Sequence, residues 1–180
     1  MPFSFTPGPL AGLVLVTPRR FLDPRGWFQE TYKRSEFVDH GIPETFVQDN
    51  LSYSSKGTLR GLHFQKGNSA QGKLVSVLAG AVWDVAVDLR VGSPTRGKWY
   101  GVELRAEEAQ LFYIPPGFAH GFVALTDGTL FSYKCTAEYD KPSEAGLLWN
   151  DPELNIAWPL TDVQVSEKDA LLPTWAEFTK

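Results

Sequence analysis

Short apolar runs recur along the chain, each closed off by Gly, Pro, Asn or Asp: "VLVT", "GWFQETY", "TFVQDNLSYS", "LRGLHFQ", "KLVSVLAG", "AVWDVAVDLRV", "KWYGVEL", "LFYIPPG", "HGFVAL" and "TLFSYKCTAEY". They are rich in Val, Phe, Tyr and Trp, and their lengths suit strands. So dense a series of turn-bounded strands predicts an all-β sandwich, jelly roll or barrel. In "VWDVAVDL" the alternation is clearest: Trp83, Val85, Val87 and Leu89 share one face, while Asp84, Ala86 and Asp88 share the other. This pattern predicts one core face and one polar face. "LAGLVLV" at 10–16 predicts another strand. It is fenced by Pro9 and Pro18, has no basic residue before it and is too short to span a bilayer. Two segments predict short helices, "RSEFVDHG" at 34–41 and "SEKDALLPTW" at 166–175, the second opening with Ser166 and an acid three residues on.

Composition narrows the class. A chain of 180 residues without internal repeat, low-complexity tract or linker reads as one domain, 1–180, able to bury a core without disulfides or a structural metal. Its net charge of −4, with the basic residues scattered, argues against nucleic acid or an anionic membrane surface as the main partner. The single cysteine, Cys135, lies in a strand-like run, cannot form an internal disulfide and reads as an inert core thiol. That usage fits a reducing cytoplasm, and no segment has the length of a membrane helix, so a soluble cytoplasmic protein is expected.

Only three histidines are present, so each can be weighed singly. His40 precedes a glycine at a predicted helix end, where its side chain suits the carbonyl end of the helix. His63 and His120 lie in strand-like runs beside glycines, "RGLHF" and "GFAHGF". In a regular strand Arg60 and His63 would point to opposite faces, because their separation is odd. Either one of them is spent on solvent, or Gly61 marks a bulge or twist, or Arg60 bends inward before the regular strand begins. A metal-binding barrel would carry a His-x-His pair, but His63 is followed by Phe64 and Gln65, so no bound metal is expected.

The chain resembles the dTDP-4-dehydrorhamnose 3,5-epimerases, nucleotide-sugar epimerases built on a cupin-like jelly-roll β-barrel with a few short helices. The resemblance runs through "DPRGWFQE" (23–30), "FVQDN" (46–50), "LRGLHFQ" (59–65), "AQGKLV" (70–75), "VWDVAVDLR" (82–90), "IPPGFAHGF" (114–122), "YKCTAEY" (133–139), "LLWNDPEL" (147–154) and "SEKDA" (166–170). It implies inversion at C3 and C5 of dTDP-4-dehydro-6-deoxy-D-glucose, through enolates that share the C4 oxygen, with no cofactor, neither NAD nor metal. It further implies His63 as base, Asp169 as the carboxylate that orients it, Lys73 and His120 around the enolate, and Tyr133 as general acid. Arg60 and Arg25 match diphosphate contacts, with Gln48, Asn50 and Glu30 as further ligand contacts. Tyr139 and Phe28 match stacking platforms for thymine, and Glu144 and Lys168 match other ligand positions. Asp84 is a supporting residue able to set the charge of a neighbouring lysine or histidine. Members are typically homodimers, so the N-terminal strands, about residues 1–50, are expected at the dimer interface, with Arg25, Phe28 and Glu30 completing the neighbour's site.

Other readings stay open beside this one. A relative epimerising only C3 or C5, or a ketoisomerase, would keep the same acid, base and enolate positions. A catalytically silent nucleotide-sugar binder would keep Arg60 and "QDN" while losing His63 or Tyr133, and both are present.

Overall fold

In the computed structural model, which describes residues 2–180, the predicted runs become strands that pair almost entirely antiparallel. The first sheet runs in the order β1 (Phe3–Pro7), β2 (Val14–Pro18), β10 (Leu111–Ile114), β7 (Lys73–Ala79), β12 (Thr129–Cys135) and β5 (Gln48–Ser54). The second runs β13 (Glu144–Gly146), β6 (Thr58–Gln65), β11 (Phe118–Ala124), β8 (Ala81–Asp88) and β9 (Trp99–Arg105), with β14 (Gln164–Val165) parallel to the start of β6. A separate hairpin joins β3 (Arg20–Asp23) to β4 (Gly26–Gln29). The short helices are α1 (Arg34–Asp39), α2 (Glu167–Ala170) and α3 (Trp175–Phe178). The two large sheets face each other as the expected jelly-roll barrel.

Inward-facing residues of both sheets make the main core. Val75 and Val77 of β7, Phe112 and Ile114 of β10 and Phe131 of β12 meet Val82 and Ala86 of β8, Leu104 of β9 and Phe118 and Phe122 of β11. Two further layers cover the outsides. Phe37 of α1 and Ile42 pack over Phe3, Leu74, Leu111 and Tyr113 of the first sheet. Leu147, Leu154, Ile156, Trp175 and Phe178 pack over Val85 and Val87 of the second.

Three expectations need correction. "VWDVAVDL" does alternate, yet core packing is not confined to one face of β8: Val85 and Val87 lie under the C-terminal segment, while the polar face of Asp84, Ala86 and Asp88 is also buried, toward the barrel interior or its end. Leu10–Leu13 form a turn that plugs the barrel, and the strand predicted over 10–16 begins only at Val14. The helix predicted over 166–175 breaks into α2 and α3, because Pro173 removes a donor and disfavours the helical conformation for the residue before it.

Asp88 closes the end of β8. Its two oxygens accept five side-chain and backbone hydrogen bonds, from the Arg90 backbone N–H, Nε and Nη2 and from the hydroxyls of Ser93 and Thr95, at 2.6–3.0 Å. Burial pushes the carboxyl up, but these donors together hold it far below the ordinary value of 3.8. A depressed carboxylate stabilises the fold above its unfolded value and loses that contribution as pH falls through the folded value. Asp88→Ala is therefore expected to lower stability by about 3–5 kcal/mol near neutral pH, because Arg90, Ser93 and Thr95 lose their acceptor. Thermal unfolding followed by circular dichroism should fall by about 10 °C. The gap from the parent should narrow as the pH is lowered below 3.8.

Candidate active site

The site lies between the sheets at the end where β6, β7, β11 and β12 come together. Residues 60 and 63 of β6 pair with residues 122 and 120 of β11, so an advance of three on one strand faces an advance of two on the other. That extra residue is the bulge, and it restores Arg60 and His63 to the same side. Gly61 makes it possible: its φ is +127°, and a Cβ there would sit 2.5 Å from Gly121 Cα and 2.8 Å from the His120 carbonyl oxygen.

A cavity of about 400 Å³ is lined by Arg60, His63, Lys73, His120, Tyr133, Lys168 and Asp169. A second, of about 290 Å³, is lined by Gln48, Asn50, Tyr139 and Glu144 and shares His63, Lys73 and Tyr133 with the first. Those three therefore stand at the junction of one elongated cleft. His63 comes from the second sheet, whereas Lys73 and Tyr133 come from the first.

His63 Nε2 lies 2.7 Å from Asp169 Oδ1, and Asp169 Oδ2 accepts the Gly61 N–H at 3.2 Å. Ser166 caps α2 by accepting the Asp169 N–H at 3.1 Å, which fixes the carboxylate's backbone. Burial pushes the Asp169 carboxyl up, but His63, the Gly61 N–H and Ser166 together hold it below the ordinary value. An ionised Asp169 accepting from Nε2–H leaves the lone pair of a neutral His63 ring on Nδ1.

His120 sits opposite His63 in the sheet register, almost fully buried, with Nε2 2.9 Å from Asp84 Oδ2. Burial lowers its pKa; Asp84 opposes that, while the proximity of Lys73 and His63 reinforces it. Lys73 is likewise pushed down by burial, partly offset by Cys135 and Asp84. Asp84 Oδ1 is buried without a partner, so Asp84 favours a cation shared between Lys73 and His120. Burial and Cys135 raise the Tyr133 pKa, against a lowering by Arg60, so the phenol holds its proton. Burial also raises the Cys135 thiol, which is engaged by Asn50 Nδ2 at 3.6 Å.

At the rim, Tyr139 Oη donates to Glu144 Oε2 at 3.0 Å, and Lys168 Nζ lies 2.6 Å from Glu144 Oε1. The Lys168 contact, with help from Tyr139, holds the Glu144 carboxyl below its usual value, and Glu144 raises Lys168 in return. Gln48 accepts the Tyr139 N–H at 2.7 Å and donates to Asn50 Oδ1 at 3.0 Å, so the amide pair shapes the wall beneath Tyr139. Arg60 donates to Ser54 Oγ and the Tyr53 carbonyl at 3.2 and 3.1 Å.

Asp84 stands behind His120 rather than in the cleft wall, and Arg25, Phe28 and Glu30 line neither cavity of their own chain. Sequence reasoning missed Ser52, Thr58, Gln164 and Ser166, which line the larger cavity. Ser52, whose buried hydroxyl has no partner, was findable: it shares the inward parity of Gln48 and Asn50 on β5.

The family model described as dTDP-4-dehydrorhamnose 3,5-epimerase matches residues 7–177. A curated relative of that name from Pseudomonas aeruginosa is 52% identical over 159 residues, covering 87% of each chain. The crystal structure of a dTDP-4-dehydrorhamnose 3,5-epimerase from Elizabethkingia anophelis superposes with a TM-score of 0.94 at 49% identity, covering 98% of each chain. A dTDP-6-deoxy-D-glucose-3,5-epimerase from Legionella pneumophila, in complex with dTDP-4-keto-L-rhamnose, superposes with a TM-score of 0.92 at 47% identity, covering 96% of this chain and 92% of that one. Matched in sequence over nearly its whole length and in fold throughout, the chain belongs to the dTDP-4-dehydrorhamnose 3,5-epimerase family.

Proposed function

We propose that this protein is an isomerase that epimerises dTDP-4-dehydro-6-deoxy-D-glucose at C3 and C5, giving dTDP-4-dehydro-L-rhamnose for dTDP-L-rhamnose biosynthesis. The observation that carries the reading is the placement of His63 and Tyr133 on opposite walls of one cleft, with Lys73 at the same junction. His63 Nδ1 removes the proton from a carbon next to the C4 ketone, and Asp169 stabilises the imidazolium that results. The electron pair moves onto O4, where Lys73 donates to the enolate and the buried His120–Asp84 pair stands beside it. Tyr133 then delivers a proton to the other face of the carbon, and exchange with solvent removes the proton from the His63 imidazolium and restores the phenol, so both groups are reset for the second inversion. C3 and C5 flank the same carbonyl, so one oxyanion site serves both inversions. Nothing is oxidised or reduced overall, and the proton transfers call on neither a nicotinamide nor a metal.

The diphosphate is assigned to Arg60 and Lys168 and the thymine to the wall built by Gln48, Asn50 and Tyr139. Arg25, Phe28 and Glu30 are assigned to the neighbour's site in a homodimer. Support comes from the β3–β4 hairpin, which exposes Phe21, Leu22, Trp27 and Phe28, large apolar side chains that a partner would cover. The protein is placed in the cytoplasm, with no role for nucleic acid or membrane. Among the described residues, no helix is long and apolar enough to cross a membrane.

Incubation with dTDP-4-dehydro-6-deoxy-D-glucose in deuterated water is the test. Deuterium is expected at both C3 and C5, with dTDP-4-dehydro-L-rhamnose as product. Incorporation at one carbon would make the protein a mono-epimerase, a 3-keto product would make it a ketoisomerase, and an unchanged substrate would leave only a binding barrel.

A further inference from the structure

Among the described residues, the strands of the β3–β4 hairpin pair only with each other. Register divides the hairpin into two faces: Arg20, Leu22, Trp27 and Gln29 on one, Phe21 and Phe28 on the other. On the first face Arg20, Gln29 and one side of the half-exposed Trp27 border a cleft of about 150 Å³ against Ser76, Leu78 and Leu111 of the barrel, while Leu22 at the tip is exposed, so close packing does not set the hairpin's angle. Among the described residues, Arg20 supplies the side-chain hydrogen bonds that cross that gap. Arg20 Nε donates to Gln29 Oε1 at 2.9 Å, binding β3 to β4, while Nη1 and Nη2 donate to the carbonyls of Glu107 and Ala106 at 2.6 and 2.9 Å, beyond the end of β9. The guanidinium also lies 4.3 Å from the centre of the Trp27 ring.

We propose that Arg20 is a positioning residue for the neighbouring subunit's active site: its guanidinium locks one face of the hairpin to its own barrel and so aims Arg25, Phe28 and Glu30 outward. The inference rests on the reading that this hairpin completes the site of a second copy. Arginine is required because its rigid fork reaches three acceptors on two elements at once, which an ammonium cannot do. Ordering the hairpin in advance removes an entropic cost from nucleotide-sugar binding without touching the reacting carbons.

Arg20→Gln is expected to raise KM about tenfold and change kcat less than about twofold, with Arg20→Lys between it and the parent. The decisive measurement uses mixed dimers, isolated through two different tags, pairing an Arg20→Gln chain with a His63→Ala chain. In such a dimer one site combines His63 of the first chain with the intact hairpin of the second. That site should show the parental KM, with about half the parental rate per dimer. Arg25→Ala paired with His63→Ala is run beside it. Failure of the Arg25 pair to complement would overturn the cross-subunit reading and the inference with it. If the Arg25 pair complements while the Arg20 pair does not, Arg20 acts on its own barrel and the inference alone fails. A parental KM in the Arg20→Gln homodimer would overturn it as well.

Discussion

His63→Ala is expected to lower kcat for epimerisation by about 10²–10⁴, the range that a positioned general base supplies, with a much smaller change in KM. The expectation follows from what is committed to this one ring. Asp169 is 4% exposed, holds His63 Nε2 at 2.7 Å and is itself held by the Gly61 N–H and by the Ser166 cap on its own backbone. All of that ordering directs Nδ1 at the cleft, and Asp169 offers a negative partner for the imidazolium once the carbon proton arrives. No other imidazole can substitute: His120 also gives Nε2 to a carboxylate, Asp84, but burial and the charge of Lys73 oppose the imidazolium that a base must become, and His40 bonds the Glu36 carbonyl and lines neither cavity. Steady-state kinetics, with deuterium uptake at C3 and C5 measured alongside, checks this. Full turnover in the alanine variant, or a loss confined to KM, would remove His63 from the base position.

Why were some parts of this site legible in the sequence and others not? Fold class and ten of the strands followed from turn spacing, because Gly, Pro, Asn and Asp report local backbone chemistry directly, while β1, β3, β13 and β14 have no counterpart among the apolar runs. Burial was less readable: Asp84 and Asp88 marked a polar face, but alternation alone cannot say what lies against a strand's second side. The paradox of Arg60 and His63 was visible as a parity conflict, and Gly61 pointed to its cause, but choosing the bulge required the pairing with His120 and Phe122. Motif likeness brought together Lys73, His120, Tyr133 and Asp169, which are distant in sequence. It also named Tyr139, Glu144 and Lys168 as ligand positions, but not the hydrogen bonds that link them into a chain at the rim, since those contacts depend on where β13 and α2 come to rest beside β6.

Lys73→Met should cost about 10²–10³ in kcat, the loss seen when one donor to a developing oxyanion is removed, and it should slow exchange at C3 and C5 by the same factor. The equality is the informative part. If a single enolate oxygen serves both inversions, its stabilisation enters both barriers alike. His120 makes a poor substitute for the lysine: with Nε2 given to Asp84, only Nδ1 remains for O4, and Nδ1 carries a proton only when the ring is cationic. Burial opposes that cation, and the charge of Lys73 opposes it too. Removing Lys73 leaves Asp84 buried with His120 as its one cation source. His120 therefore becomes easier to protonate, and the residual activity of the variant is expected to need a protonated His120 and a neutral His63 together, giving a pH profile that differs from the parent's. Methionine keeps the length and burial of the side chain, so the β7 core beside Val75 need not collapse. Rates of deuterium uptake at the two carbons, followed by proton NMR across a pH series, decide the matter. Unequal losses at C3 and C5 would mean that the two enolates are held by different donors, and the single-oxyanion mechanism would have to be abandoned.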